Sequence, residues 1–279
     1  MDKWVPRAMT DSPLNRAVPV LILAAFAIVC VANGQQTPTQ SQRPPLATDP
    51  ATLQRAIAKV EKGDFGPVDI AIIVRWHAVQ AIPSLETQFE RSKDPNTKER
   101  IADALVRLGK KNGPYLDFMV DHARQVLKDV PPTPVDFDAG GTAESAGPSK
   151  RLIEWANKHH MSVQQAWDDA IFQAPGTIMR LGYSDDARAI PILREALTSE
   201  NDLVKIAAAQ GLAELHDTKS VPAIIRACEN APKEVATQIA RWLVYFDDPA
   251  AQRAVDKYVP KSTAQGLREA RAHGKTPYR

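Results

Sequence analysis

The side chains best suited to metal or acid–base chemistry are concentrated in residues 150–182 of the sequence. Histidine and aspartate can bind a metal, but the ligands must converge, and adjacent residues of a helix point about 100° apart. No HExxH, CxxC or DxDxDG spacing occurs. We therefore expect these residues to be packing or solvated groups and predict no metal site. The residues concerned are Trp155, His159, His160, Trp167, Asp168 and Asp169.

Nucleophilic catalysis has little support in the sequence. The GxSxG turn that exposes the serine of a hydrolase is missing, and so is a glycine-rich phosphate loop. Cys228 aligns with Leu197 of an internal repeat, so we expect a buried and unreactive thiol. The sequence thus predicts no catalytic residue and no residue that binds a cofactor.

The composition indicates a folded domain without a strong charge bias. Of 279 residues, 44% are apolar and 24% are charged, and the formal net charge is +2. A nucleic-acid-binding protein would usually show a basic excess concentrated on one face. We therefore expect a protein partner and no nucleic acid.

Residues 185–259 contain the same two-helix unit twice, about 31 residues apart. Apolar residues recur every three or four positions in both copies, and a proline lies in the first turn, where a missing N–H does least harm. The shift of 31 also places Val204 on Val235 and Leu212 on Leu243. A helix pair of this size cannot bury both apolar stripes alone, so we expect neighbouring pairs to stack.

This pattern resembles the HEAT-repeat family, in particular the short repeats named after phycobilin lyases. The motifs that carry the resemblance are ARAIPILREAL with AAAQGLAELHD, then SVPAIIRAC, the restart FDDPAAQRAV, and a weaker copy over residues 78–110. The resemblance implies an all-α, right-handed solenoid of about five helix pairs over residues 51–272. Such an architecture does not by itself indicate a reaction or a substrate.

Two enzyme lines share this scaffold, and the sequence departs from both. The deoxyhypusine hydroxylases hold iron on repeated His-Glu pairs, and this chain has no His-Glu dipeptide. The phycobilin lyases act on cytosolic chromoproteins, which conflicts with the export signal described next. A non-catalytic interaction scaffold is therefore the preferred interpretation, and a lyase-type enzyme or enzyme accessory protein is the alternative.

Residues 1–34 are typical of an export signal. They combine basic residues, an apolar run over residues 18–31 and the small residues of Ala32-Asn33-Gly34. The run is short of the roughly 20 residues needed to span a bilayer. We therefore expect cleavage and a periplasmic or secreted protein; the alternative is anchoring in the membrane by residues 18–32. The basic residues are Lys3, Arg7 and Arg16.

Three further segments are expected to lie outside the helices. Residues 35–50 are rich in proline and polar residues and are expected to form a disordered linker. Residues 130–149 carry four prolines and three glycines, which predicts a long exposed loop inserted into the third repeat. That loop could bind a partner or serve only as a spacer. Residues 273–279 form the C-terminal tail.

The second helices of such solenoids usually line the concave face, and their positions beside the apolar stripe form columns from repeat to repeat. A large aromatic residue and an arginine are typical anchors of an interface. We therefore expect these columns to form the partner-binding face. One column contains Asp103, Gln210 and Arg241, a second contains Arg107, Glu214 and Tyr245, and Trp242 lies beside them.

Overall fold

A computed structural model describes residues 49–135 and 148–273, which contain helices and no strand. The proposed signal at residues 1–34, nearly all of the 35–50 linker, the centre of the 130–149 loop and residues 274–279 lie outside the described residues. Within the described part of the chain, none of the helices is both long and apolar enough to cross a membrane.

Fourteen α-helices follow one another in the described residues. They are α1 (Pro50–Lys62), α2 (Pro67–Arg75), α3 (Ile82–Arg91), α4 (Pro95–Arg107), α5 (Pro114–Lys128), α6 (Lys150–Lys158), α7 (Val163–Asp168), α8 (Ala174–Gly182), α9 (Ile190–Ala196), α10 (Asp202–Glu214), α11 (Val221–Glu229), α12 (Lys233–Arg241), α13 (Pro249–Tyr258) and α14 (Lys261–Ala272). Short 3₁₀ turns precede α3, α9 and α11, and a fourth follows α12.

These helices form an all-α solenoid of stacked pairs. The pairs are α1 with α2, α3 with α4, α5 with α8, α9 with α10, α11 with α12, and α13 with α14. The second helices contact one another in the order α2, α4, α8, α10 and α12. The described residues thus contain six pairs where about five were expected, because the charged C-terminal region forms a helix, α14.

The apolar stripe predicted from the repeat forms the interior of the stack. Val204, Val235, Leu212 and Leu243 are all at most 1% exposed, and they belong to one continuous core. Full burial of each side chain contributes about 1.5–3 kcal/mol. The alignment of the two repeats is therefore confirmed by the packing.

Aspartate followed by proline begins three of these helices. Asp49, Asp94 and Asp248 each accept a hydrogen bond from an amide of the first turn that they cap. Asn96 followed three residues later by Glu99 has the sequence pattern of a helix cap, but it does not cap α4. The helix begins at Pro95, which lacks an N–H and so needs no partner at the first position.

Three second helices, α2, α4 and α10, end in the same left-handed turn. The second residue after the helix has a positive φ, and the next amide donates to a carbonyl inside the helix, as between Asp217 N–H and Leu212 O at 3.1 Å. The left-handed residues are His77 (φ 46°), Gly109 (φ 101°) and His216 (φ 52°). Asp185, the third residue after α8, also has a positive φ, of 52°.

The third pair is interrupted by a large insertion. Between α5 and α8 lie α6, α7 and a π-helical turn over Asp169–Gln173, and residues 163–182 form one continuous helical run. Pro175-Gly176 is a dipeptide typical of a turn, but both residues lie inside this helical run. The π turn lies just before the proline, whose ring could not fit a regular α-helical interior.

The inserted helices have a small core of their own. Leu152, Ala156, Ala166 and Ala170 are fully buried there, with Trp155 and Trp167 packed against them. Both tryptophans are therefore packing residues, as the sequence analysis predicted.

The described edges of the 130–149 loop are held together and partly buried. Ser149 donates from its N–H to Pro134 O at 2.8 Å and from its hydroxyl to Thr133 O at 3.0 Å. Pro131, Pro132, Pro134 and Val135 are buried, so the expectation of an exposed loop is wrong for this edge. Asn201 explains the burial, because its amide donates to Pro131 O at 3.0 Å and to Ala170 O at 2.9 Å.

Candidate partner-binding face

The seven residues predicted to form a binding face divide into two groups. Arg107 is exposed, and Glu214, Arg241 and Tyr245 are half-buried. The other three are at most 7% exposed, so their assignment to an open face was wrong. At these three positions the side chain is covered by neighbouring parts of the stack. The buried residues are Asp103, Gln210 and Trp242.

A tyrosine missed by the sequence analysis connects three of the repeats. The Arg107 guanidinium lies 5.2 Å from the centroid of the Tyr183 ring, a cation–π distance. The Tyr183 hydroxyl accepts a hydrogen bond from Gln210 Nε2 at 2.8 Å. Contacts therefore run from α4, across the end of α8, to α10.

The sequence did contain a signal for Tyr183. It precedes Glu214 by 31 residues, and Tyr245 follows Glu214 by the same interval, so the three occupy one repeat position. Arg107 and Tyr183 are 76 positions apart in the sequence and come together only through the stacking of the repeats. The described structure thus places Arg107, Tyr183, Glu214 and Tyr245 at equivalent ends of successive second helices.

We call Arg107, Tyr183, Glu214, Arg241 and Tyr245 the row. Aromatic residues lie at its end, after α12. Trp242 and Tyr245 lie on one 3₁₀ turn with ring centroids 5.9 Å apart, and Arg241 Nη1 donates to Gln238 Oε1 at 3.0 Å. Because Trp242 is buried, it supports the row from within and offers little surface to a partner.

A buried ion pair lies beneath Arg107. Glu99 is fully buried and accepts from Arg180 Nε at 3.0 Å, from Arg180 Nη2 at 2.6 Å and from Thr177 Oγ1 at 3.1 Å. Asp103 lies one turn further along α4, with Oδ2 at 3.7 Å from Arg107 Nη1. Burial raises the pKa of Asp103 to about 6, against the opposing effect of the Arg107 charge.

Two of the residues that first suggested chemistry, Trp155 and His159, contact each other, and His159 also contacts a carboxylate. The Trp155 and His159 rings stack with centroids 4.1 Å apart, and His159 Nδ1 lies 3.0 Å from Asp129 Oδ2. Across residues 49–135 and 148–273, no three His, Cys, Asp or Glu side chains are grouped so that they could hold a metal ion. Cys228 is 1% exposed, and burial raises its pKa to about 12, so the predicted buried thiol is present.

A cleft of about 350 Å³ lies between the insertion and the ends of α5 and α9. Trp155 and the carboxylates of Asp129, Glu195 and Glu200 line it. Asp129 already pairs with His159, and Glu200 pairs with Arg151 at 2.5 Å. The three carboxylate residues are exposed, so the cleft offers no enclosed set of convergent polar groups.

Comparison with known proteins identifies the repeat. The family model for HEAT repeats matches this chain twice, over residues 176–244 and 190–273. No curated protein matches the chain. Together the two matches cover the chain from within α8 to just past α14, and this stretch includes Tyr183, Glu214 and Tyr245. Residues 176–273 of this all-α solenoid are therefore HEAT repeats.

Proposed function

We propose that this chain is an exported, non-catalytic scaffold for protein–protein interaction, and that its partner binds along the ends of the second helices. HEAT repeats form a fold that is typical of protein-interaction scaffolds. The observation that carries the proposal is the row formed by Arg107, Tyr183, Glu214, Arg241 and Tyr245. These residues come from four neighbouring second helices, and each retains exposed surface.

The chemistry of this row favours a protein surface as its partner. Tyrosine buries a large area at a low cost in side-chain entropy, and both arginine and tyrosine are enriched among the residues that dominate binding energy. The row contains both signs of charge, in Arg107, Arg241 and Glu214, which suits a partner with complementary charges of both signs. A nucleic acid would instead need a row of cations to contact its phosphates.

A site-specific cross-linking experiment tests this face. A photo-reactive amino acid is placed at Glu214 in the row or, as a control, at Glu229, which is exposed on the first helix α11. We expect a discrete cross-linked protein from position 214 in native cells and none of that mass from position 229. Equal products from both positions, or none from position 214, would contradict the proposed face.

A double substitution then measures how much the row contributes to binding. We expect Arg107→Ala with Glu214→Ala to weaken capture of the cross-linked partner at least tenfold, because loss of an anchoring residue typically costs 1–2 kcal/mol or more. The matched control is Arg226→Ala with Glu229→Ala, which removes one arginine and one glutamate from the exposed side of α11. Both double variants should retain the helical circular dichroism of the parent protein.

Export is the second part of the proposal, and it is supported by the pattern of residues 1–34. The intact mass of protein purified from its native host should correspond to a chain that begins at Gln35. An intact N-terminus on protein from the membrane fraction would instead favour anchoring by residues 18–32. An intact N-terminus on protein from the cytosol would refute export.

A further inference from the structure

The contact between the second and third helix pairs is polar, unlike the next contact along the stack. Where α8 meets α10, Gly182 and Gly211 bring the two backbones together, and apolar residues surround them. Where α4 meets α8, the facing groups include Glu99, Thr177 and Arg180, and Arg100 lies 3.4 Å from Gln173 Oε1. We call this α4–α8 contact, with Asp103 included, the polar seam.

The carboxylates of the polar seam are more deeply buried than the guanidinium groups near them. Glu99 and Asp103 are one helical turn apart on α4 and are both buried, whereas Arg100 and Arg180 are half-buried. The Arg180 guanidinium gives two hydrogen bonds to Glu99. Asp103 is left with Arg107 at 3.7 Å, and its Oδ1 is buried with no hydrogen-bond partner among the described residues. An ionised carboxylate in that position is poorly compensated.

The other helices packed on α4 do not supply the missing compensation. The charged groups that act on the Asp103 carboxyl are Arg107 and Glu99 of α4 and Arg180 of α8. The titratable side chains of the remaining neighbours have their closest polar contacts elsewhere: Asp69 of α2 lies 3.2 Å from Lys59 Nζ, Glu86 of α3 lies 2.8 Å from Lys110 Nζ, and His122 of α5 lies 3.3 Å from Asn96 Oδ1. His122 also interacts electrostatically with Glu99 and Arg180 of the polar seam.

We infer that the polar seam is a proton-dependent joint: a proton on Asp103 strengthens the packing of α4 against α8, and its loss weakens that packing. The inference needs no partner and is independent of the proposed function. Protonation removes the buried charge, and the neutral acid can donate a hydrogen bond that the carboxylate cannot. The joint lies where the insertion interrupts the third pair, so it connects the first two pairs to the HEAT repeats that follow.

The direction of the pH effect follows from the sign of the pKa shift. The folded pKa of Asp103 is raised from 3.8 to about 6. The folded state therefore binds the proton more tightly than the unfolded chain does. The stabilisation from Asp103 is complete below about pH 4, is lost as the pH rises to about 6, and changes little above that.

The experiment compares the wild-type chain with Asp103→Asn, a neutral side chain of the same shape, between pH 4 and pH 7. The unfolding equilibrium constant of the wild type should rise about 100-fold relative to that of Asp103→Asn across this range, since each unit of pKa shift is a factor of ten. Hydrogen exchange followed by mass spectrometry should place the added opening of the wild type in α4 and α8. Peptides from α11 to α14 serve as the internal reference.

Two further variants keep the test decisive. Asp94→Asn alters the cap of the same helix, where hydrogen bonds from Thr97 lower the pKa of Asp94. The contribution of Asp94 to the free energy of unfolding should therefore rise with pH, opposite to that of Asp103. Arg107→Met removes the cation that opposes the shift and should move the wild-type transition to higher pH, even if Asp103→Asn fails to fold. Identical pH profiles for the wild type and Asp103→Asn, or an unmoved transition in Arg107→Met, would overturn the inference.

Discussion

Gly182→Ala places a methyl group directly against the backbone of the neighbouring repeat. The new Cβ would lie 2.3 Å from Gly211 Cα and 3.3 Å from both Gly211 N and Gly211 C. Ordinary contact of a Cβ begins at 3.4 Å. The obstructing atoms belong to α10 itself, so no side-chain rotation can relieve the overlap. The two helices would have to separate by about 1.1 Å, the difference between these distances.

The size of the effect can be worked out from this geometry. Overpacking of a well-packed core costs about 1–3 kcal/mol, and an overlap with backbone belongs near the upper end of that range. Alanine is intrinsically better than glycine in a helix by roughly 1 kcal/mol, but Gly182 is the last residue of α8, so only part of this is gained. We expect a net loss of about 2 kcal/mol in the free energy of unfolding, which lowers Tm by roughly 4–8 °C.

Urea and thermal unfolding followed by circular dichroism measure this loss, and two other glycines act as controls. An added Cβ at Gly266, inside α14, meets no atom within 4 Å. Gly266→Ala should therefore stabilise the chain by about 0.5–1 kcal/mol. An added Cβ at Gly211 lies 3.0 Å from Leu193 Cδ1 and Cδ2 and 3.1 Å from Gly182 Cα, a smaller overlap than at Gly182, so Gly211→Ala should fall between the other two.

The ranking of the three variants decides the outcome. Because repeat arrays can unfold in parts, hydrogen exchange of α8 and α10 should accompany the global measurement. An unfolding midpoint for Gly182→Ala equal to or above that of Gly266→Ala would refute the close backbone approach. A loss of protection confined to α14 would refute it as well.

Three other predictions concern the thiol, the helix ends and the buried ion pair. Cys228 should react with a thiol reagent only as fast as the native chain opens, because burial raises its pKa to about 12, and rapid labelling of folded protein would contradict this. His216 and Gly109 both have a positive φ, which glycine adopts more easily than other residues. His216→Gly should therefore raise the free energy of unfolding by about 0.5–1 kcal/mol, and Gly109→Ala should lower it by about 1 kcal/mol. Equal unfolding midpoints in urea for the two variants would argue against the left-handed turns. Glu99→Gln should cost about 3–5 kcal/mol, because it removes the buried carboxylate that accepts both hydrogen bonds of the Arg180 guanidinium. A loss below 1 kcal/mol in urea unfolding would show that the guanidinium finds another partner.

The repeat pattern was sufficient to predict the core, because burial in this fold follows local helical spacing. Val204, Val235, Leu212 and Leu243 were assigned to the interior from their spacing alone, and all four are buried there. The same reasoning assigned Cys228 correctly, because it occupies the position that Leu197 occupies one repeat earlier. Within residues 185–259 the register of the repeat is unbroken, so the alignment could be extended residue by residue.

The binding face was harder to predict, because exposure depends on the neighbouring repeat. Asp103, Gln210 and Trp242 lie beside the apolar stripe of their own helices, but each is covered by the stack. The insertion also separates the two helices of the third pair by 45 residues, from Lys128 to Ala174. That gap hid the proximity of Arg107 to Tyr183, whereas the 31-residue interval from Tyr183 to Glu214 lies entirely after the insertion.

The buried ion pair could not have been predicted from any local pattern. Glu99 and Arg180 are 81 positions apart, and Glu99, three residues after Asn96, has the local pattern of a capping residue although its helix begins earlier, at Pro95. Charged residues are almost always exposed in folded proteins unless they are paired. Only the arrangement of α4 beside α8 brings these two together.

The hydrogen bonds between Ser149 and the Thr133–Pro134 segment have a consequence for how the chain tolerates change. These hydrogen bonds hold together the two backbone segments that flank residues 136–147. A longer or shorter stretch between them would alter neither the spacing of α5 and α8 nor the phase of the repeats that follow. Loop closure adds only about 0.6 kcal/mol for each doubling of length. The fold therefore contains a docking point at which a tag, a reporter domain or a foreign recognition peptide could be grafted with the helical array left in register.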